Sequence, residues 1–134
     1  MMREILFRGK DVETDDWVKG QYARLFSDKG NRFHRIYPGY AESDCGDLYP
    51  DWYEVDPKTV GQFTGMTDKN GRQIFEGDVL ALRAGRPHIV KFEDGSFVLT
   101  GTAVPIRHAD KFEVIGNIHD NPELLEGGVE NVKV

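Results

Sequence analysis

Cysteine is almost missing from this chain. Cys45 is the single thiol among 134 residues, so an internal disulfide is excluded and no Cys-x-x-Cys redox or zinc pair can form. A chain of this length buries roughly two thirds of its unfolded surface and needs no covalent staple, so a reducing compartment, the cytoplasm, is the expectation. Long apolar runs are missing as well. The opening MMREILFRGK sets Arg3 and Glu4 ahead of only three apolar residues, far short of a signal-peptide core, and no later run is long enough to cross a bilayer. The chain is expected to be neither exported nor membrane-spanning.

Positive charge is also scarce. The net charge is −6, and it is unevenly placed: residues 1–36 hold 8 Lys or Arg against 6 acids, while the remainder holds 9 against 17. Nucleic-acid binding draws most of its affinity from a clustered basic face, which this balance disfavours. Arg24, Lys29, Arg32 and Arg35 form a small local exception, read as a solvated hairpin because charge belongs at the surface.

Catalytic and metal signatures are absent too. There is no phosphate-cradling glycine loop and no Gly-x-Ser-x-Gly elbow. His34, His88, His108 and His119 lie far apart, without the short spacings metal ligands use. Asp68, Asn70 and Gly71 suggest a calcium loop, but with Gly71 at the sixth position the first is Met66 and the twelfth Gly77, so the entry ligand and the bidentate glutamate are both missing. A hairpin loop explains them better, with Asp68 bonding back to the backbone and Asn70-Gly71 left-handed. Glu76-Gly77-Asp78 is read as geometry: two acids one residue apart project from the same side of an extended strand, and glycine there marks a bulge or kink. No cofactor, metal or catalytic residue is assigned.

What is present is period-two alternation, which predicts a mainly β fold of antiparallel strands in small barrel-like sheets. REILFRGK, WVKGQYARLF and RFHRIY read as three strands joined by DVETDD and SDKGN. In HIVKFEDGSFVLT, Asp94-Gly95 is the dipeptide of a two-residue I′ turn, which places Phe92 opposite Phe97 and Val90 opposite Leu99. KFEVIGNI reads as an internal strand with Phe112, Val114 and Ile118 on one face and Ile115 on the other. DNPELLEGG predicts one short C-terminal helix, with Asn121 as N-cap, Pro122 at the first position and Gly127 as the stop. The pieces TVGQFTG and EVIGNIHD share an apolar, glycine, amide, apolar pattern in which Gln62 and Asn117 are read as satisfied strand amides.

Residues 38–57, PGYAESDCGDLYPDWYEVDP, show no clear period and read as a functional loop. Tyr40, Tyr49, Trp52 and Tyr53 are the large amphipathic side chains that interface centres favour. Six acids (Glu42, Asp44, Asp47, Asp51, Glu54 and Asp56) with no Lys or Arg point to a basic or neutral partner.

Taken together, VDPKTVGQFTGMTDKNGRQIFEGDVL at 55–80, FEVIGNIHDNPELLE at 112–126, MREILFRGK and DWVKGQY at 16–22 resemble the YopX family of phage and prophage proteins, over most of the chain apart from residues 27–50. The resemblance implies a small, mainly β, cytoplasmic protein of viral origin and carries over no catalytic residue; the chain is read as one domain over 1–134, with lobes at 1–57 and 58–126 and a tail at 127–134. The matching positions Gly61, Gly65, Gly71, Gly77, Asp78, Gly116 and Asn117 are turn formers and small strand residues. By fold analogy, residues 72–100 are reminiscent of an SH3-like barrel. The expectation is a non-catalytic protein-binding module acting as a homo-oligomer; the alternatives are a nucleic-acid-binding small barrel and, third, an enzyme.

Overall fold

The computed structural model describes residues 4–125. It is mainly β, with ten strands in chain order: β1 (Phe7–Lys10), β2 (Trp17–Phe26), β3 (Arg32–Glu42), β4 (Leu48–Glu54), β5 (Gly61–Thr67), β6 (Gln73–Phe75), β7 (Asp78–Ala81), β8 (Pro87–Glu93), β9 (Ser96–Leu99) and β10 (Glu113–Asn117). Every pairing is antiparallel, and among the described residues no helix is long and apolar enough to cross a membrane. The chain divides into two compact units, Met1–Gln62 and Phe63–Val134.

In the first unit the strand order is β4-β3-β2-β1, with Gly61 and Gln62 of β5 added beside Arg8 and Phe7. Past β4 the chain turns back across β1, where Val55 bridges Asp11. Ile36 and Val55 are the buried apolar centre, and Gly9 lets them approach: a Cβ there would stand 3.1 Å from the Val55 Cβ and 3.2 Å from the Ile36 Cδ1. Residues 38–57 are therefore not a loop. They complete β3, turn, and form β4. Alternation failed to reveal this strand because six of the seven β4 residues are exposed on either face, leaving no apolar side to mark the period.

In the second unit β10-β7-β8-β9 form one sheet, while β6 pairs with Phe63 and Thr67 of β5. The core joins Ile74, Leu80, Leu82, Val90, Leu99, Ala109 and Val114. The β8–β9 hairpin has Phe92 opposite Phe97 and Val90 opposite Leu99, and Asp94 and Gly95 take φ values of 50° and 84°, the two positive values a I′ turn requires. β10 is an edge strand rather than an internal one, and its register shifts between Val114 and Gly116. Ile115 is the bulged residue and is exposed. Neither sheet closes into a barrel among the described residues.

A short helix begins at residues 123–125. The carbonyl of Asn121 accepts the N–H of Leu124 at 3.1 Å, but the Asn121 side chain turns the other way and accepts the N–H of Asn117 at 3.3 Å. Its Oδ1 ties the helix start to β10 instead of capping the helix. Gly127 and the 127–134 tail lie outside the described residues.

Candidate protein-interaction surface

β3 is framed by two loops of one design, Ser27-Asp-Lys-Gly-Asn31 and Ser43-Asp-Cys-Gly-Asp47. In each, the serine N–H donates to the carbonyl of the fifth residue (2.9 and 2.8 Å) and the glycine N–H donates to the serine carbonyl (2.9 Å in both). The serine Oγ then accepts the N–H of the fifth residue, at 3.1 and 3.0 Å. Gly30 and Gly46 sit at φ 82° and 86°, a left-handed position that glycine takes without steric cost. Asp68–Arg72 repeats the arrangement, with the Asp68 carboxylate in place of the hydroxyl. The recurrence of Ser-Asp-x-Gly is the signal that marks 43–47 as a hairpin loop, and alternation alone misses it.

The hairpin register then sorts the aromatic side chains. Tyr40 stands opposite Pro50 and Glu42 opposite Leu48, while Ala41 faces Tyr49 and Gly39 faces Asp51. Since neighbours along a strand point to opposite faces, Tyr40, Leu48, Pro50 and Trp52 share one face, and Tyr49 and Tyr53 the other. The four aromatics of residues 38–57 are all exposed (Tyr40 75%, Tyr49 49%, Trp52 44%, Tyr53 39%), and Leu48 joins them at 71%. Leu48 lies among the acids in sequence, and only its place across from β3 makes it part of an apolar stripe with Tyr40 and Trp52.

Trp52 anchors the inner end of that stripe. The Arg35 guanidinium lies 3.9 Å from the centroid of its ring and 5.5 Å from that of Phe33, a cation–π stack that holds Trp52 against β3 and withdraws Arg35 from the basic group. Arg24, Lys29 and Arg32 remain exposed at the β2–β3 end, where Arg24 and Arg32 each come 5.8 Å from the exposed Phe26 ring. At the open edge of β4, Pro50 supplies no N–H, and the Glu54 carbonyl already accepts the N–H of Val12 at 3.0 Å. An added partner strand would meet a broken ladder, so recognition here belongs to side chains.

The remaining candidates are placed apart. Glu76-Gly77 is a two-residue turn rather than extended strand: Gly77 has φ 93°, donates to the Val90 carbonyl and accepts from the Ile118 N–H. Asp78 is buried, and its Oδ2 accepts the N–H of Phe75 at 2.8 Å. Asn117 Oδ1 accepts from the N–H groups of His119 and Asp120. Of Asn70-Gly71, only Gly71 has positive φ, at 81°. Asp68 accepts three backbone N–H groups, from Asn70 and Arg72 on Oδ1 and from Val114 on Oδ2, each at 2.9 Å. Burial pushes its carboxyl up, but those three bonds and the nearby Arg72 charge outweigh burial and hold it below the usual carboxylate range.

His34 Nδ1 is 2.6 Å from the Tyr22 hydroxyl, beside a polar cleft of about 340 Å³ that Lys10, Arg32, Glu54 and Asp56 also line. Burial raises the Tyr22 hydroxyl above its ordinary value against the opposing charge of Arg24. His88 donates its Nδ1 proton to the Thr100 carbonyl, at a separate groove of about 550 Å³ shared with Arg86 and Thr102. Among the described residues, no three His, Cys, Asp or Glu side chains converge as a metal-ion cluster.

The chain has no match among the curated proteins. Among solved structures it is similar to the crystal structure of protein EF1440 from Enterococcus faecalis, with a TM-score of 0.63 and 28% identity, over 93% of this chain and 100% of the other. The family model for the YopX protein matches residues 6–126. That span runs through both units and all ten strands, and the chain belongs to the YopX family.

Proposed function

We propose that this chain is a non-catalytic protein-binding module of phage or prophage origin, working in the cytoplasm of a bacterial host as a homo-oligomer and docking through its β3–β4 hairpin. The observation that carries the reading is the stripe of Tyr40, Leu48 and Trp52, exposed on one face of a hairpin whose loop shape is held by Ser43 and Gly46. Amphipathic aromatics around an apolar centre make efficient interface anchors, since they bury large area at low rotamer cost. Glu42, across from Leu48, and the loop acids Asp44 and Asp47 adjoin the stripe, so the complementary surface is a protein patch with Lys or Arg around an aromatic or aliphatic centre. A nucleic-acid partner would meet phosphate against carboxylate at this face.

The test is affinity capture from a host lysate, with and without nuclease, comparing the parent with Tyr40→Ala/Leu48→Ala. Both side chains are exposed, so the double variant should melt within about 2 °C of the parent, as surface substitutions do, and lose the captured protein. Capture that disappears on nuclease treatment would transfer the reading to nucleic acid, and undiminished capture would move the binding surface off the hairpin.

A further inference from the structure

The chemistry that the acidic hairpin asks of a partner is present at the far end of the same strand. The turn end of the β2–β3 hairpin, residues 24–32, carries Arg24, Lys29 and Arg32, all exposed, against the single acid Asp28. At its centre Phe26 is 59% exposed, with the Arg24 and Arg32 guanidinium groups each 5.8 Å from its ring centroid. The register pairs Phe26 with Arg32 and Arg24 with His34, which puts Phe26, Arg24 and Arg32 on one face. One end of β3 is therefore an aromatic ring between two arginines, and the other is Tyr40 and Leu48 among Glu42, Asp44 and Asp47.

We infer that the basic β2–β3 hairpin of one copy docks on the acidic β3–β4 hairpin of a second copy, so that the chain associates head to tail. This rests on the protein-binding reading of the β3–β4 hairpin and names its occupant. β3 is 11 residues long, and at about 3.3 Å per residue its two ends are roughly 33 Å apart, so the complementary patches of one molecule cannot meet. Contact between different patches is heterologous, and it propagates into an open chain or closes into a ring. Arginine suits the acidic side because its planar fork takes a carboxylate with two parallel N–H donors, while Phe26 adds apolar area against Tyr40 and Leu48. The broken ladder at Pro50 turns the two copies away from pairing edge to edge through β4.

Sedimentation velocity on the full chain across a concentration series tests this, at about 50 mM and about 500 mM salt, which bracket strong and weak screening. The parent should self-associate at low salt and weaken by about tenfold or more at high salt, since the contact is built from exposed charges. Arg24→Glu/Arg32→Glu makes both ends acidic, and Asp44→Lys/Asp47→Lys makes both ends basic. Each variant alone should be monomeric, and an equimolar mixture should regain the association of the parent, because each end again meets its opposite. Loss in both variants with recovery on mixing is not produced by damage to the fold, which mixing cannot repair. A parent that stays monomeric at low salt, a salt-insensitive dimer, or folded variants that fail to recover on mixing would each overturn the inference. If the parent is monomeric yet captures another protein through Tyr40 and Leu48, the binding reading stands and the self-docking one falls. If neither association nor capture depends on the hairpin, both fall.

Discussion

Replacing Gly20 by alanine should destabilise the first unit sharply, whereas the same change at Gly39 should not. Gly20 is a buried residue of β2 that pairs with Phe7 of β1, and on its other side β3 bulges, its register with β4 shifting between Ile36 and Gly39. The bulge drives the Tyr37 and Pro38 backbone towards β2. A Cβ on Gly20 would collide with the Tyr37 carbonyl oxygen and stand 2.6 Å from its carbon and 2.8 Å from the Pro38 Cα. Carbon atoms in contact rest at about 3.5–4.0 Å, so one backbone must shift by about 1 Å, and neither can relieve the clash by turning a rotamer. Overpacking of this kind costs about 1–3 kcal/mol, and the immovable neighbour puts Gly20 at the upper end. The smaller unfolded-state entropy of alanine returns about 0.4–1 kcal/mol, leaving a net loss near 2 kcal/mol.

At roughly 3–5 °C per kcal/mol for a chain of this size, the Gly20→Ala Tm falls by about 6–10 °C. Gly39 has no heavy atom within 4 Å of a built Cβ and is not among the positive-φ glycines, so there the entropy gain stands alone and Gly39→Ala should melt at or slightly above the parent. Thermal unfolding followed by circular dichroism on the three proteins decides the matter. A Gly20→Ala protein melting within about 2 °C of the parent, or equal losses at both positions, would refute the close-approach argument.

Two further substitutions probe the turns. Gly95→Val forces a β-branched residue to φ 84° in the β8–β9 turn and should cost more than about 1 kcal/mol; an unchanged Tm would mean that the turn relaxes to another type. Asp68→Asn keeps one oxygen for Asn70 and Arg72 but sets an amide donor against the Val114 N–H, a loss of about 1–3 kcal/mol at neutral pH. Because the folded Asp68 carboxyl lies below its ordinary value, its contribution is present above the unfolded carboxylate pKa and is lost as pH falls through the folded one. Urea midpoints of parent and variant should thus converge below about pH 4, and a gap that stays constant into acid would count against the carboxylate.

The local devices of this protein were written in its residues. A turn closes with hydrogen bonds over four or five positions, so Asp94-Gly95 alone sets the register of β8 against β9, and Ser-Asp-x-Gly-x alone shapes the loops at either end of β3. Family membership is legible for the same reason, since its marks are short runs of glycine, amide and acid at turns. What escaped the sequence is everything set by pairing at a distance. β4 carries no periodic face because neither of its faces is covered, so only its ladder with β3 identifies it as a strand. β10 has the composition of an internal strand yet lies at an edge, because burial of Val114 comes from the second-unit core rather than from a second neighbouring strand. Asp68 reads as a turn residue, and 46 positions of chain separate it from the Val114 N–H it accepts. The candidate surface follows the same rule: Tyr40 and Tyr49 look like one aromatic cluster in sequence, but the β3–β4 register divides them between opposite faces and puts Leu48 beside Tyr40 instead. Composition determined that this segment is aromatic and acidic, and cross-strand pairing, which depends on which residues meet rather than on which are neighbours in the chain, decided which of them form a surface.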